Sequence, residues 1–212
     1  NGTFRGKVAS QGVYSYYGLG SVSYGGFLYL DATLRNDNSS TLPKDNDSYW
    51  YHSENMSLLF SKLLGIESNI FNLGKIRGSY ARVANDAGSF LVGDYRTQAV
   101  YTIDQTVTLP YTVASIPSNL PDFDLRPETS DSWEIGTELG FFNNRLQLDF
   151  TYYQTETKDQ IMAVPISATT AYYSKVVNAG TISNKGIEFQ LNSTPIETLN
   201  FDWNLGFNFT KS

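Results

Sequence analysis

Cysteine is absent from these 212 residues, and histidine occurs once. Without thiols there is no disulfide framework, no zinc–cysteine site and no cysteine nucleophile. A Ser-His-Asp arrangement would have to use His52, yet no nucleophile-elbow sequence accompanies it. A strand-face or loop-edge histidine is the simpler reading. Long apolar runs are missing too, and nothing approaches the roughly 18 residues that a membrane helix needs. That excludes a helical spanner and leaves a membrane barrel open, because barrels dilute their lipid-facing residues with polar ones. Basic residues are outnumbered, 15 Lys and Arg against 21 Asp and Glu, for a net charge of −6. Nucleic-acid phosphates need clustered cations, so nucleic acid is not an expected partner. Gly18-Leu19-Gly20 lacks the third glycine and following helix of a phosphate loop. Asp37, Asp45 and Asp47 offer oxygen donors at a spacing that does not match an EF-hand loop, and a solvated loop accounts for them. No cofactor, metal site or catalytic residue is expected.

What the sequence has in quantity is aromatic residues and glycine: 15 Tyr, 13 Phe and 17 Gly, at a mean hydropathy of −0.30. The clearest pattern is Ser132–Tyr153, SWEIGTELGFFNNRLQLDFTYY. Trp133, Ile135, Leu139 and Phe141 alternate with Ser132, Glu134, Glu138 and Gly140. After Asn143-Asn144 the alternation resumes, with Leu146, Leu148, Phe150 and Tyr152 against Gln147, Asp149, Thr151 and Tyr153. A period of two puts one apolar and one polar face on each strand. Asn tolerates the positive φ of hairpin turns, so the segment is predicted to be a β-hairpin.

The rest of the chain predicts about eight strands. They are Val13–Tyr24, Phe27–Arg35, Tyr49–Phe60, Gly74–Val83, the two arms of the hairpin, Thr181–Asn192 and Asn200–Thr210. Around Tyr49–Phe60 the spacing of Met56, Leu59, Phe60, Leu63 and Leu64 also suits a short helix near Leu58–Ile70. Pro195 is read as the centre of a turn over Thr194–Thr198. Joins at Gly25, Leu64–Leu73, Asn143 and Pro195 are short or moderate. Those after Asn36, Ala84 and Gln160 are long, and Ala84–Pro127 exceeds an ordinary connection. Short turns at one end and long loops at the other is the asymmetry of an outer-membrane barrel.

On that reading Asp31, Arg35, Glu134, Glu138, Asp149, Glu188 and Asp202 form a lumen-facing polar wall. Leu146, Leu148, Phe150, Phe201, Trp203 and Phe209 form a lipid-facing belt. Tyr95, Tyr101, Tyr111, Tyr172 and Tyr173 fall in the long connections, where exposed rings can stack on sugar, so they are the candidate substrate contacts.

Four segments, FLYLDATLRNDNSS (Phe27–Ser40), KIRGSYARVAN (Lys75–Asn85), LRPETSDSWEIGTELGFFNNRLQLDFTYYQTETKDQI (Leu125–Ile161) and VVNAGTISNKGIEFQLNSTPI (Val176–Ile196), occur in an order that resembles the barrel of SusC/RagA-like TonB-dependent outer-membrane transporters. The run Asn178–Phe189, NAGTISNKGIEF, is the most specific of them. The resemblance implies an all-β fold, in which residues 1–212 supply about eight antiparallel strands of a transmembrane barrel of 22. It implies import of oligosaccharides or peptides across the Gram-negative outer membrane by binding and gated passage, without enzymatic chemistry. It also implies two protein partners, a SusD-like surface lipoprotein and TonB. The plug domain, the TonB-contacting segment and the C-terminal strands of such a protein would lie outside these residues.

Two other readings remain open on the residues alone. A soluble β-sandwich that binds carbohydrate would turn Phe201, Trp203 and Phe207 into a shared core. A β-rich glycosidase would need two carboxylates about 5–10 Å apart in a cleft.

Overall fold

A computed structural model describes residues 12–66, 68–86, 102–104, 113–115, 119–120 and 122–212. The elements run β1 (Val13–Tyr24), β2 (Leu28–Ser39), β3 (Ser48–Leu59), α1 (Phe60–Leu63), β4 (Phe71–Asn85), β5 (Thr102–Asp104), β6 (Val113–Ser115), β7 (Asn119–Leu120), β8 (Glu128–Phe141), β9 (Leu146–Lys158), β10 (Ile161–Pro165), a 3-10 turn (Ala168–Thr170), β11 (Ser174–Asn178), β12 (Thr181–Glu197) and β13 (Asp202–Lys211). Eight of the strands form one sheet in the order β1-β2-β3-β4-β8-β9-β12-β13, every pair antiparallel. β10, β11 and β7 make a three-stranded sheet, and β5 with β6 a two-stranded one, both inside the long connections.

The turns at one end follow from local chemistry. Gly25 and Gly26 adopt φ of 59° and 67°, and the Phe27 amide donates to the Tyr24 carbonyl at 3.1 Å. A Cβ on Gly25 would lie 2.3 Å from the Phe27 ring, so any other residue would force that ring to move. Phe142, Asn143 and Asn144 also take positive φ, the twist that a tight hairpin requires.

Between β3 and β4 strand and helix both appear. The strand persists to Leu59, and a single helical turn folds Phe60 back onto Phe71, ring centroids 6.1 Å apart. Gly74 makes this possible, because a Cβ there would sit 2.4 Å from the Phe60 ring. The turn expected at Thr194–Thr198 lies further on. Pro195 is inside β12, where the register with β13 shifts between Ser193 and Ile196. Proline cannot donate to the ladder, and the strand accommodates it as a bulge. The chain reverses over residues 198–201, where Thr198 Oγ1 accepts from the Phe201 amide at 3.0 Å.

No second layer packs against the sheet among the described residues. Among the described residues the buried hydrophobics are Leu42, Ala84, Leu125, Ile161 and Val176. Four of them, with Tyr49 against them, form one cluster made from all three long connections. Phe201 and Phe207 remain 58% and 55% exposed. The chain presents 14625 Å² of accessible surface, where a compact monomer of this mass would present roughly 9,800 Å². A self-contained sandwich is therefore ruled out.

Cross-strand register assigns the two faces. One carries the even residues of β1 to β4 and β9 and the odd residues of β8, β12 and β13. Leu146, Leu148, Phe150, Trp203 and Phe209 share it, and Phe201 continues the period one step before β13. The apolar stretch on this face crosses the hydrogen-bond rungs obliquely. The rung through Tyr24, Leu28, Leu58, Ile76, Thr137, Phe150, Phe189 and Phe209 is the turn-side edge of the belt on β1 and its loop-side edge on β13. The belt's centre falls by a little over one residue per strand, about 4 Å for each 4.8 Å step across the sheet. A level belt then requires strands tilted by about 40°, the inclination of transmembrane barrel strands.

At the long-loop end Asn178 ties the connections together. Its Nδ2 donates to the carbonyls of Arg126 and Asp159, both at 2.8 Å, and its Oδ1 accepts from the Arg126 amide at 2.8 Å. Loss of these bonds should cost about 1–3 kcal/mol, with backbone groups left unpaired. In the full-length parent protein, Asn178→Ala should speed tryptic cleavage at Lys158 and Lys175 several-fold while the sheet stays intact. Unchanged cleavage would show that Asn178 does not hold the loops.

Candidate functional site

The opposite face is polar. Asp31, Arg35, Glu134, Glu138, Asp149, Glu188 and Asp202 all fall on it by register. One rung runs Ser21, Asp31, Asn55, Ser79, Glu134, Tyr153, Gly186, and another Lys75, Glu138, Asp149, Gln190, Asn208. The seven wall residues come from β2, β8, β9, β12 and β13, and only long-range pairing brings them together.

Arg77 on β4 is the hub. Its Nη1 and Nη2 donate to the two carboxylate oxygens of Asp149 at 2.7 and 2.8 Å, a bidentate fork. Nη2 also reaches Thr151 Oγ1 at 2.6 Å, and Nε lies 3.5 Å from Glu134. The guanidinium crosses β8 to reach β9, and Gly136 leaves the gap. A Cβ there would meet the Arg77 Cζ and Nε at 3.0 Å and the Phe150 carbonyl at 3.1 Å. Beside it Lys75 pairs with Glu138 at 3.3 Å. The Arg77 and Asp149 side chains are 29% and 30% exposed, so this network is half-buried. Two carboxylates sharing one guanidinium brace a wall; they do not flank an open cleft as a glycosidase pair does.

Toward the long loops, Arg35 Nε donates to Asp37 at 2.7 Å and Nη2 to Ser15 Oγ at 3.0 Å. Tyr51 donates its hydroxyl to the other Asp37 oxygen at 2.8 Å, so Asp37 is fully engaged. His52 lies on the apolar-face side, its Nδ1 2.7 Å from Glu54 and its ring 5.7 Å from Tyr80. That is a strand-face histidine. Of the loop tyrosines, Tyr173 is exposed and Tyr172 half-buried beside the 3-10 turn. Tyr95, Tyr101 and Tyr111 lie outside the described residues.

Arg77 and Lys75 were not among the residues singled out from sequence. Their signal was present as alternation in KIRGSYARV, but their partners stand 57 to 74 positions away. No local pattern carries that pairing.

Residues 1–212 match the family model described as "TonB dependent receptor-like, beta-barrel". The chain belongs to this family. Barrels of TonB-dependent receptors sit in the outer membrane of Gram-negative bacteria, and the eight-stranded sheet is a segment of such a wall. TonB-dependent receptor P3 of Formosa agariphila is 29% identical over 93% of this chain and 20% of its own length. TonB-dependent receptor SusC of Bacteroides thetaiotaomicron is 33% identical over 41% of the chain and 9% of its own. A solved structure of the RagAB peptide transporter superposes with a TM-score of 0.82 at 25% identity, covering 94% of this chain and 22% of that one. The chain thus spans about a fifth of the first of these curated relatives.

The Arg77 fork makes a sharp expectation. Arg77→Ala in the full-length receptor should lower stability by about 1–3 kcal/mol, and Arg77→Lys by less, because lysine keeps the charge but not the bidentate geometry. Gly136→Ala should cost less than Arg77→Ala, because a Cβ 3.0 Å from the guanidinium asks it to give by only a few tenths of an ångström. Urea-unfolding midpoints in detergent micelles measure all three.

Proposed function

We propose that this chain forms part of the wall of a TonB-dependent importer of oligosaccharides or peptides. The observation that carries the reading is the position of the charges. Lys75, Arg77, Glu134, Glu138, Asp149 and Glu188 stand on one face at the height where the other face carries Ile76, Ile135, Leu148, Phe150 and Phe189. An Arg or Lys facing hydrocarbon at mid-depth costs about 2–4 kcal/mol. The polar face is therefore the lumen side, and the apolar face with Leu146, Leu148, Phe150, Phe201, Trp203 and Phe209 meets lipid.

The work of such a wall is recognition and passage. The polar rungs hydrate a pathway or seat a plug, while the long connections face the outside. The likeness to RagAB and to SusC supports a surface lipoprotein of the SusD type closing over that end, with TonB supplying energy from the inner side through a region outside these residues.

The face assignment is tested by a pair of substitutions in the full-length protein. Phe150→Arg should destabilise the barrel by about 2–4 kcal/mol and reduce the heat-modifiable folded band, whereas Gln147→Arg should leave it near wild type. Equal effects would reverse or abolish the assignment. The partner is tested separately: affinity purification of the tagged full-length protein from detergent-solubilised membranes should recover a lipoprotein in near-stoichiometric amount. Recovery of the barrel alone would remove the lipoprotein from the proposal.

A further inference from the structure

The ionic network is not the only organised feature of the polar face. Tyr17 on β1 is directly opposite Arg35 on β2, and Arg35 is directly opposite Tyr51 on β3. The three side chains form one rung, level with the loop-side third of the belt. Tyr51 is fixed from three sides. Its hydroxyl donates to Asp37, the Arg35 guanidinium carbon stands 5.8 Å from its ring centroid, and the Tyr49 ring lies near it at 6.3 Å and 22°. Tyr17 is 74% exposed and has no ring or hydrogen-bond partner among the described residues. Around them stand hydroxyls: Ser15 against Arg35 Nη2, and Thr33 with Ser53, 2.7 Å apart, one rung toward the turns.

We propose that Tyr17, Arg35 and Tyr51 are a binding platform for a neutral saccharide on the lumen wall, an assignment that rests on the importer reading above. Two rings set on strands two steps apart are about 10 Å from each other, the span of two linked sugar rings. Tyrosine offers an apolar face to the C–H side of a pyranose. The hydroxyls and the remaining Arg35 Nη1 are placed to bond sugar oxygens. Asp37 cancels the charge of Arg35 at 2.7 Å, so the rung carries no net charge to select an anionic ligand. A peptide would gain little here, because its terminal charges find no uncompensated partner on this rung.

The test uses the purified full-length receptor, labelled and applied to printed arrays of neutral oligosaccharides, acidic oligosaccharides and peptides. Neutral oligosaccharides should bind, and Tyr17→Ala and Tyr51→Ala should each weaken that binding by about tenfold, the scale of a lost aromatic contact. Tyr17→Phe should retain most of it. Heat-modifiable migration confirms that each variant is folded. Neutral-sugar binding unchanged in both alanine variants would overturn the platform while leaving the importer reading intact. Binding to peptides or acidic sugars alone, or to nothing on the arrays, would overturn the saccharide assignment. A parent protein that shows no heat-modifiable, detergent-stable form would instead sink the importer reading beneath it.

Discussion

A sheet one layer thick must find a separate environment for each face, and this constraint governs the molecule. Backbone hydrogen bonds are satisfied strand to strand, so the ladder itself needs no core. Its side chains do. On one side are phenylalanines, leucines and tryptophans that water does not suit; on the other, a rank of charged groups that hydrocarbon does not suit. The proposed setting, a boundary between lipid and an aqueous interior, supplies both environments. The 40° inclination of the apolar band relative to the rungs says the same thing geometrically. Strands that crossed a membrane upright would give a band parallel to the rungs.

Within that frame the charged residues are not scattered. Arg77 stitches β4 to β8 and β9 through Glu134, Asp149 and Thr151, and the gap at Gly136 exists for its guanidinium. The polar face is thus internally braced. Toward the loops the brace gives way to a rung of tyrosines and a neutralised arginine, the proposed saccharide platform.

Much of this was legible in the residues because its causes are local. Alternation in WEIGTELGF and LQLDFTYY fixes which side chains share a face, and Gly25-Gly26 and Asn143-Asn144 announce turns through the φ values they tolerate. All seven polar-wall residues fall together for that reason: each strand's period is two, and the register keeps the parity. What escaped had nonlocal causes. Pro195 looks like a turn from its neighbours alone, yet the strand absorbs it as a bulge because β9 continues to pair beside it up to Ser193. The Arg77 network depends on partners brought close by sheet order. The Tyr17–Arg35–Tyr51 rung depends on two registers at once. The helix-or-strand ambiguity at Leu59–Phe60 was real, since both occur there in succession.

The loop cluster of Leu42, Leu125, Ile161 and Val176 has a consequence for assembly. Its members come from the connections after β2, β4 and β9, so it cannot close until the intervening strands have found their register. Leu42 must wait for Leu125, and both for Val176, which lies more than 130 residues after Leu42. A slip in any intervening pair would pull these side chains apart and expose them. The hydrophobic cluster among the described residues is thus a long-range contact, complete only when the strands between its members are in register.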